Sequence, residues 1–172
     1  MPTEQPTQQE AFERIAMPHL GSLLRVARRL TVQSASAEDL VQDTMLLAWR
    51  GFHQFQPGSN ARAWLFRILL NAFYGQGRKA SRAEPQGVPF NQHVRPAAQE
   101  AAEIAEALNA LSLEQRSVFL LAVVEGFTCQ EIAGILNVPI GTVMSRLSRA
   151  REELRKILAP QTKAMEAKGA FR

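Results

Sequence analysis

Residues 128–154, TCQEIAGILNVPIGTVMSRLSRAREEL, constrain the fold more than any other stretch, because they read as a helix, a tight turn and a second helix bearing arginines. Thr128 followed three residues on by Glu131 is a capping box: the hydroxyl accepts from a first-turn amide while the carboxylate reaches back to the cap amide. A helix is predicted to start there. Ile132, Ile135 and Leu136 give it an apolar stripe, Ala133 and Gly134 leave room for a crossing helix, and Asn137-Val138-Pro139 stops it, since Pro139 has no amide to donate. On a helical wheel over 140–154, Val143, Leu147, Ala150 and Leu154 share one side and are predicted to be buried. Ser145, Ser148 and Arg149 point the opposite way, flanked by Thr142, Met144, Arg146 and Arg151. Hydroxyls and guanidinium groups are the chemistry that reads base edges and phosphates in a major groove. A solvated basic helix would share that composition, but the capped helix and proline turn in front of it point to DNA.

The charge pattern supports two contacts with a polyanion. Residues 1–60 carry 5 basic and 6 acidic side chains, 61–99 carry 6 and 1, 100–139 carry 1 and 6, and 140–172 carry 8 and 3. Two basic blocks are therefore separated by an acidic one, which suggests surfaces for something other than nucleic acid. Between the basic blocks, ASRAEPQGVPFNQHVRPAAQ (80–99) holds three prolines and no helical or strand period, so it reads as a linker able to span up to roughly 65 Å when extended. No strand-like alternation occurs on either side. The expected architecture is all-α: two small helical domains, 10–79 and 103–156, joined by a flexible linker at 80–102, with a basic, frayed tail at 157–172.

In the first domain Leu20, Leu23, Leu24, Ala27 and Leu30 follow helical spacing after a break at Pro18. Ser36 is predicted to cap a second helix, with Leu40, Val41, Thr44, Leu47 and Ala48 buried and Asp39, Gln42, Asp43 and Leu46 outward. By itself an acidic helix start means only a favourable dipole. Residues 56–60 form a turn into a third helix whose buried side is Ala61, Trp64, Leu65, Ile68 and Ala72. Opposite stand Arg67, Asn71, Tyr74 and Arg78, a basic and aromatic stripe suited to partly unstacked nucleic acid. Phe66, Leu70 and Phe73 beside it allow a protein interface instead.

SAEDLVQDTMLLAWRGFHQF, PGSNARAWLFRILLNAFY and LSLEQRSVFLLAVVEGFTCQEIAGILNVPIGTVMSRLSRAREEL together resemble a bacterial sigma factor of the extracytoplasmic-function group, the smallest members of the sigma-70 family, with regions two and four only. The resemblance implies that Asp39, Gln42, Asp43 and Leu46 bind the clamp helices of the largest subunit of core RNA polymerase. It implies that Asn60, Arg67, Asn71, Tyr74, Arg78 and Lys79 recognise and help melt the minus-ten element. Thr142, Met144, Ser145, Arg146, Ser148 and Arg149 would enter the major groove of the minus-thirty-five element. It further implies that region four holds the polymerase flap, that an anti-sigma factor controls the chain under stress, and that catalysis belongs to the polymerase.

Three positions depart from the common pattern. Gly75 stands where many relatives carry an acidic residue and Gly77 follows it, so the third helix is predicted to end early and to put the contacts of Arg78 and Lys79 in doubt. Met144 takes a place where a basic residue is frequent, which implies one phosphate contact fewer. These departures motivate the alternative of a sigma mimic that occupies an anti-sigma factor. A helix-turn-helix repressor is a third reading, but it leaves 10–79 unexplained.

Enzyme readings find no support: His19, His53 and His93 lack ligand spacing, and no phosphate loop or nucleophile elbow occurs. No metal or cofactor is expected. The single cysteine, Cys129, excludes an internal disulfide and a thiolate zinc site, and reads as a packing residue. With no long apolar run and no basic-apolar leader, the chain is expected to be cytoplasmic, without membrane contact of its own.

Overall fold

The computed structural model describes the backbone of residues 7–31, 34–80 and 96–169, and side chains at 7–31, 36–76 and 103–158. The chain divides into two compact units, Met1–Gln86 with Gly134–Asn137 and Gly87–Ala133 with Val138–Arg172. Among the described residues every regular element is helical. No helix among them is long and apolar enough to cross a membrane.

In the first unit, α1 (Gln8–Ala16) opens on a capping box, Thr7 accepting from the Glu10 amide while Glu10 accepts from the Thr7 amide at 2.8 Å. A short 3₁₀ turn, Met17–His19, leads into α2 (Leu20–Leu30). Pro18 therefore does not break the chain; it sits in the first turn, where its missing amide has no helical partner to lose. The following helix, α3 (Ser34–Gly51), starts before Ser36, so Ser36 lies inside the first turn and is not the predicted cap. A second 3₁₀ turn, Phe52–Gln54, precedes α4 (Ala61–Ala80).

α3 packs on both α2 and α4. Leu23, Val26 and Leu30 from α2, Leu40, Val41 and Thr44 from α3, and Leu65, Phe66, Leu69 and Leu70 from α4 are buried in this unit. Thr44 is tolerated there because its hydroxyl donates to the Leu40 carbonyl at 2.7 Å. Two predictions fail here. Phe66 and Leu70 are core residues, not an interface, and Leu47, expected inside, is 45% exposed. Helix α4 is apolar on most of its circumference, so its sequence period does not decide which side turns inward.

The second unit begins with α5 (Pro96–Ala110), which starts inside the stretch read as linker. Proline suits a first helical position, and the alanines and glutamate after it are strong helix formers. A second capping box, Ser112 with Gln115, opens α6 (Leu113–Phe119), and a π-helical turn, Leu120–Val124, follows. Then come α7 (Cys129–Leu136) and α8 (Ile140–Gly169). α6 and α5 pack on α8, and Val118, Leu120, Leu121, Ile132, Val143 and Ala150 are buried. The tail predicted to fray continues as helix to Gly169, consistent with the helix-forming KAMEAK at 163–168.

Candidate nucleic-acid and polymerase interfaces

The Thr128 capping box forms as predicted. Thr128 Oγ1 accepts from the Glu131 amide at 3.2 Å, and Glu131 Oε2 accepts from the Thr128 amide and hydroxyl at 2.9 Å each. The helix stops by a different device from the one expected. Asn137 adopts a left-handed conformation, φ 54°, and the Val138 amide donates back to the Ala133 carbonyl at 3.1 Å, the closure of a Schellman-type end. Pro139 instead supplies the carbonyl that accepts from the amides of Thr142 and Val143 at the start of α8.

Along α8 the wheel holds: Val143, Leu147, Ala150 and Leu154 are buried. Met144, Ser145, Ser148, Arg149 and Arg151 are exposed, with Thr142 and Arg146 half-buried. Ser145 donates its hydroxyl to the Thr142 carbonyl at 3.0 Å, so it is folded back on the helix. The buried residues fix the rotation of α8, and that rotation turns the predicted reading residues to solvent. A concavity of about 460 Å³ lies beside this face, lined by Cys129, Met144, Leu147, Ser148, Arg151, Glu152 and Arg155. Arg155 went unnoticed in the sequence although it continues the Ser148–Arg151 row by one further turn. Lys156 is held by Glu152 at 3.0 Å, both more than half exposed, a pair that contributes little.

In the first unit Asp39, Gln42, Asp43 and Leu46 are all exposed on α3, as predicted. Leu47, 45% exposed, lies beside them, while Trp49, 38% exposed, packs edge-on against Phe12 of α1. Asp43 Oδ2 accepts from Gln76 Nε2 on α4 at 3.2 Å. A groove of about 340 Å³ between the two helices is lined by Asp43, Leu46, Leu47, Arg50, Ala72, Gly75 and Gln76. The helix does not end early at the glycines: α4 runs to Ala80. Its packing on α3, with the Gln76–Asp43 bond, offsets a glycine cost of about 1 kcal/mol per residue.

The turn before α4 is built from its backbone. Gly58 has φ 87°, the Ser59 amide and hydroxyl both donate to the Gln56 carbonyl at 3.1 and 2.7 Å, and Asn60 Oδ1 accepts from the Ala63 amide at 2.9 Å. Asn60 thus caps α4 from an exposed position. Arg67 and Asn71 are exposed and Tyr74 is half-buried, its ring 5.7 Å from that of Phe73. They form one stripe on the side of α4 away from the core. The side chains of Arg78 and Lys79 lie outside the described residues. Among the described residues no group of three or more His, Cys, Asp or Glu could hold a metal ion.

Comparison with known proteins identifies both units. The family model for sigma-70 region 2 matches residues 15–83 and that for sigma-70, region 4, matches residues 101–154. The ECF RNA polymerase sigma factor SigE of Mycolicibacterium smegmatis is 32% identical over 92% of this chain and 70% of its own length. The ECF RNA polymerase sigma factor EcfG of Rhodopseudomonas palustris is 37% identical over 80% of this chain and 79% of its own. Among solved structures, the sigma factor RpoE in complex with the anti-sigma factor NepR, from Bartonella quintana, superposes with a TM-score of 0.73 at 37% identity, over 87% of this chain and 97% of that one. CnrH in complex with the cytosolic domain of CnrY gives 0.70 at 32% identity, over 88% and 90%.

Proposed function

The chain belongs to the sigma-70 family as an RNA polymerase sigma factor of the extracytoplasmic-function group, and from that premise we propose which residues do its work. As a sigma factor it binds core RNA polymerase and directs promoter-specific initiation. Residues 10–79 are the polymerase-binding and minus-ten domain, 103–156 the minus-thirty-five domain, and 80–102 joins them.

Asp39, Gln42, Asp43 and Leu46 meet the clamp helices of the largest polymerase subunit. Their support is joint exposure on a helix whose other face is core. Asn60, Arg67, Asn71 and Tyr74, with Arg78 and Lys79 beyond them, take the minus-ten element as it opens. Aromatic and guanidinium faces stack on unpaired bases, so the unpairing cost is offset by contacts made only to the opened strand. Thr142, Met144, Ser145, Arg146, Ser148 and Arg149 read the minus-thirty-five duplex. The observation that carries this reading is the rotation of α8: four buried residues leave its hydroxyl- and arginine-bearing face in solvent.

Because each module alone binds weakly, engagement of one raises the effective concentration of the other, and promoter choice depends on the spacing of the two elements. The polymerase supplies the catalysis and the chain works in the cytoplasm without a cofactor. RpoE was solved in complex with an anti-sigma factor, which supports control of this chain by an anti-sigma factor under stress.

Runoff transcription with purified core polymerase on a library of promoter fragments tests the assignment. The wild type initiates, Arg149→Ala loses promoter selection, and Asp39→Ala binds core more weakly. No initiation and no core binding by the folded wild type would refute it and favour the mimic.

A further inference from the structure

The turn that presents Asn60 buries no residue of its own: Gln56, Pro57, Gly58, Ser59 and Asn60 are all exposed. Its internal bonds, from the Ser59 amide and hydroxyl to the Gln56 carbonyl, shape the turn but do not tie it to the core, so its placement depends on its two ends. At the far end Asn60 caps α4. At the near end stands Phe55, whose amide donates to the Phe52 carbonyl at 3.0 Å as the chain leaves the 3₁₀ turn in an extended conformation, φ −71° and ψ 125°.

The Phe55 ring stacks on Phe52 with centroids 5.9 Å apart and planes within 10°, and it packs against Trp64 on α4 at 4.9 Å. The row continues away from the turn: Phe52 meets Phe12 of α1 edge-on at 5.3 Å, and Phe12 meets Trp49 of α3 at 5.2 Å. Five rings thus run from α1 and α3 to the start of the turn and the first helical turn of α4. Phe12 precedes the residues matched by the region 2 family model, 15–83, so the α1 end of the row is a feature the family match does not include.

We propose that Phe55 is a positioning residue for promoter opening: its ring, clamped between Phe52 and Trp64, sets the height and direction at which residues 56–60 meet the opened strand. The inference rests on the assignment of Asn60 to the minus-ten element. Phe55 itself touches no base. It acts by removing freedom from a polar turn, and a misplacement of about 1 Å in such a turn costs on the order of tenfold to a hundredfold in rate. Flat rings are suited to the task because offset stacking resists sliding and tilting, which an aliphatic side chain of similar volume does not.

The test compares Phe55→Leu, Phe55→Tyr and Asn60→Ser in the full chain with core polymerase, on a promoter that the wild type opens. Serine keeps the helix cap and removes the amide. Three quantities are measured: core binding, permanganate reactivity of unpaired thymines in the minus-ten element, and the ratio of initiation on that promoter to initiation on single-base minus-ten variants. Phe55→Leu keeps core binding within about twofold, loses roughly tenfold in opening, and drives the discrimination ratio toward one. Phe55→Tyr restores both, since its hydroxyl can face solvent at this half-buried site. Phe55→Met, which retains a flexible apolar chain without a ring, gives the same split and replaces the leucine variant if that one does not fold.

Wild-type discrimination in the leucine or methionine variant, with Asn60→Ser impaired, overturns the positioning role alone. Normal opening by Asn60→Ser overturns the assignment of the turn and the inference with it. Loss of core binding in step with opening marks Phe55 as a general packing residue and also overturns the proposal.

Discussion

The same substitution, glycine to alanine, is expected to have opposite effects at two places in the first unit. At Gly75 the backbone is helical, φ is not positive, and an added Cβ meets nothing within 4 Å. Alanine there lowers the entropy of the unfolded chain without strain, and in a helix interior that is worth about 0.8–1 kcal/mol. The site lies five residues from the end of α4, which reduces the gain to about 0.5–1 kcal/mol because the last turn of a helix holds less firmly. For a domain of this size such a gain raises the melting temperature by roughly 2–6 °C. At Gly58 an added Cβ also meets nothing within 4 Å, but φ is +87°. Space is not the obstacle there, and alanine costs about 1–2 kcal/mol for the left-handed backbone alone. Trp49 and Trp64 are the two tryptophans and both lie in the first unit, so fluorescence-detected thermal unfolding of the full chain reads these changes. Two shifts of the same sign, or no shift at Gly75, would refute the reasoning, because it would mean that α4 is not held as a helix through the glycine or that the turn does not need its left-handed residue.

Arg116 is buried, with Nη2 donating to the Asn109 carbonyl at 2.9 Å, and burial pushes its guanidinium below the usual arginine range. Arg116→Ala leaves a cavity and an unpaired carbonyl, and is expected to cost about 2–4 kcal/mol; Arg116→Met refills much of the space and costs about 1–2 kcal/mol, both read from the urea transition followed by circular dichroism. His19 is held below the ordinary histidine range by burial first and by the Arg62 charge second. The unfolded chain then binds the proton more readily, so His19 contributes stability that is fully present above its unfolded pKa of about 6.5 and is lost as pH falls through the lower folded value. His19→Gln is expected to lessen the fall in melting temperature as pH drops below about 6.5, relative to wild type. Thr128→Ala removes the cap of α7 and should cost about 1 kcal/mol. In a double-mutant cycle with Glu131→Ala the two losses are expected to be less than additive, because each residue serves the other. On α3, Asp39→Ala should slow association with core polymerase and weaken its salt dependence, whereas Leu46→Ala should speed dissociation; stopped-flow binding at two salt concentrations separates the two.

What could be read from the sequence was local. The Thr128 box, the buried row Val143, Leu147, Ala150 and Leu154, and the outward Asp39, Gln42 and Asp43 depend on neighbours within one or two helical turns, where residue type and spacing decide the outcome. Thr7–Glu10 and Ser112–Gln115 carried the same capping signal and form the same box, so α1 was equally legible and went unread. Pro18 and Pro96 misled because a proline reads as a break, while at the first turn of a helix it removes an amide that had no partner. The stop after α7 was predicted at the right place for the wrong reason, since Asn137 turns the chain before Pro139 is reached.

Two misreadings of burial differ in kind, and the difference bears on function. Phe66 and Leu70 could not be placed because α4 offers apolar residues on most sides and only the position of α3 and α2 chooses among them. That ambiguity vanishes once the helices pack, and it says nothing about a partner. Leu47 is another matter. Its helix has a complete buried row without it, Ala37, Leu40, Val41, Thr44 and Ala48, yet Leu46, Leu47 and Trp49 remain 47%, 45% and 38% exposed. Covering a large apolar side chain is worth about 1.5–3 kcal/mol when complete, so Leu46 and Leu47, which line one groove with Asp43, leave apolar area for association, whereas Trp49 is already packed on Phe12 of α1. In the core-polymerase complex proposed for this surface, the acidic residues are expected to govern approach and register, and the apolar residues how long the complex lasts. On the proposed assignment, a position that patterning gives to the core and folding leaves in water is, on this helix, part of the surface that the polymerase covers.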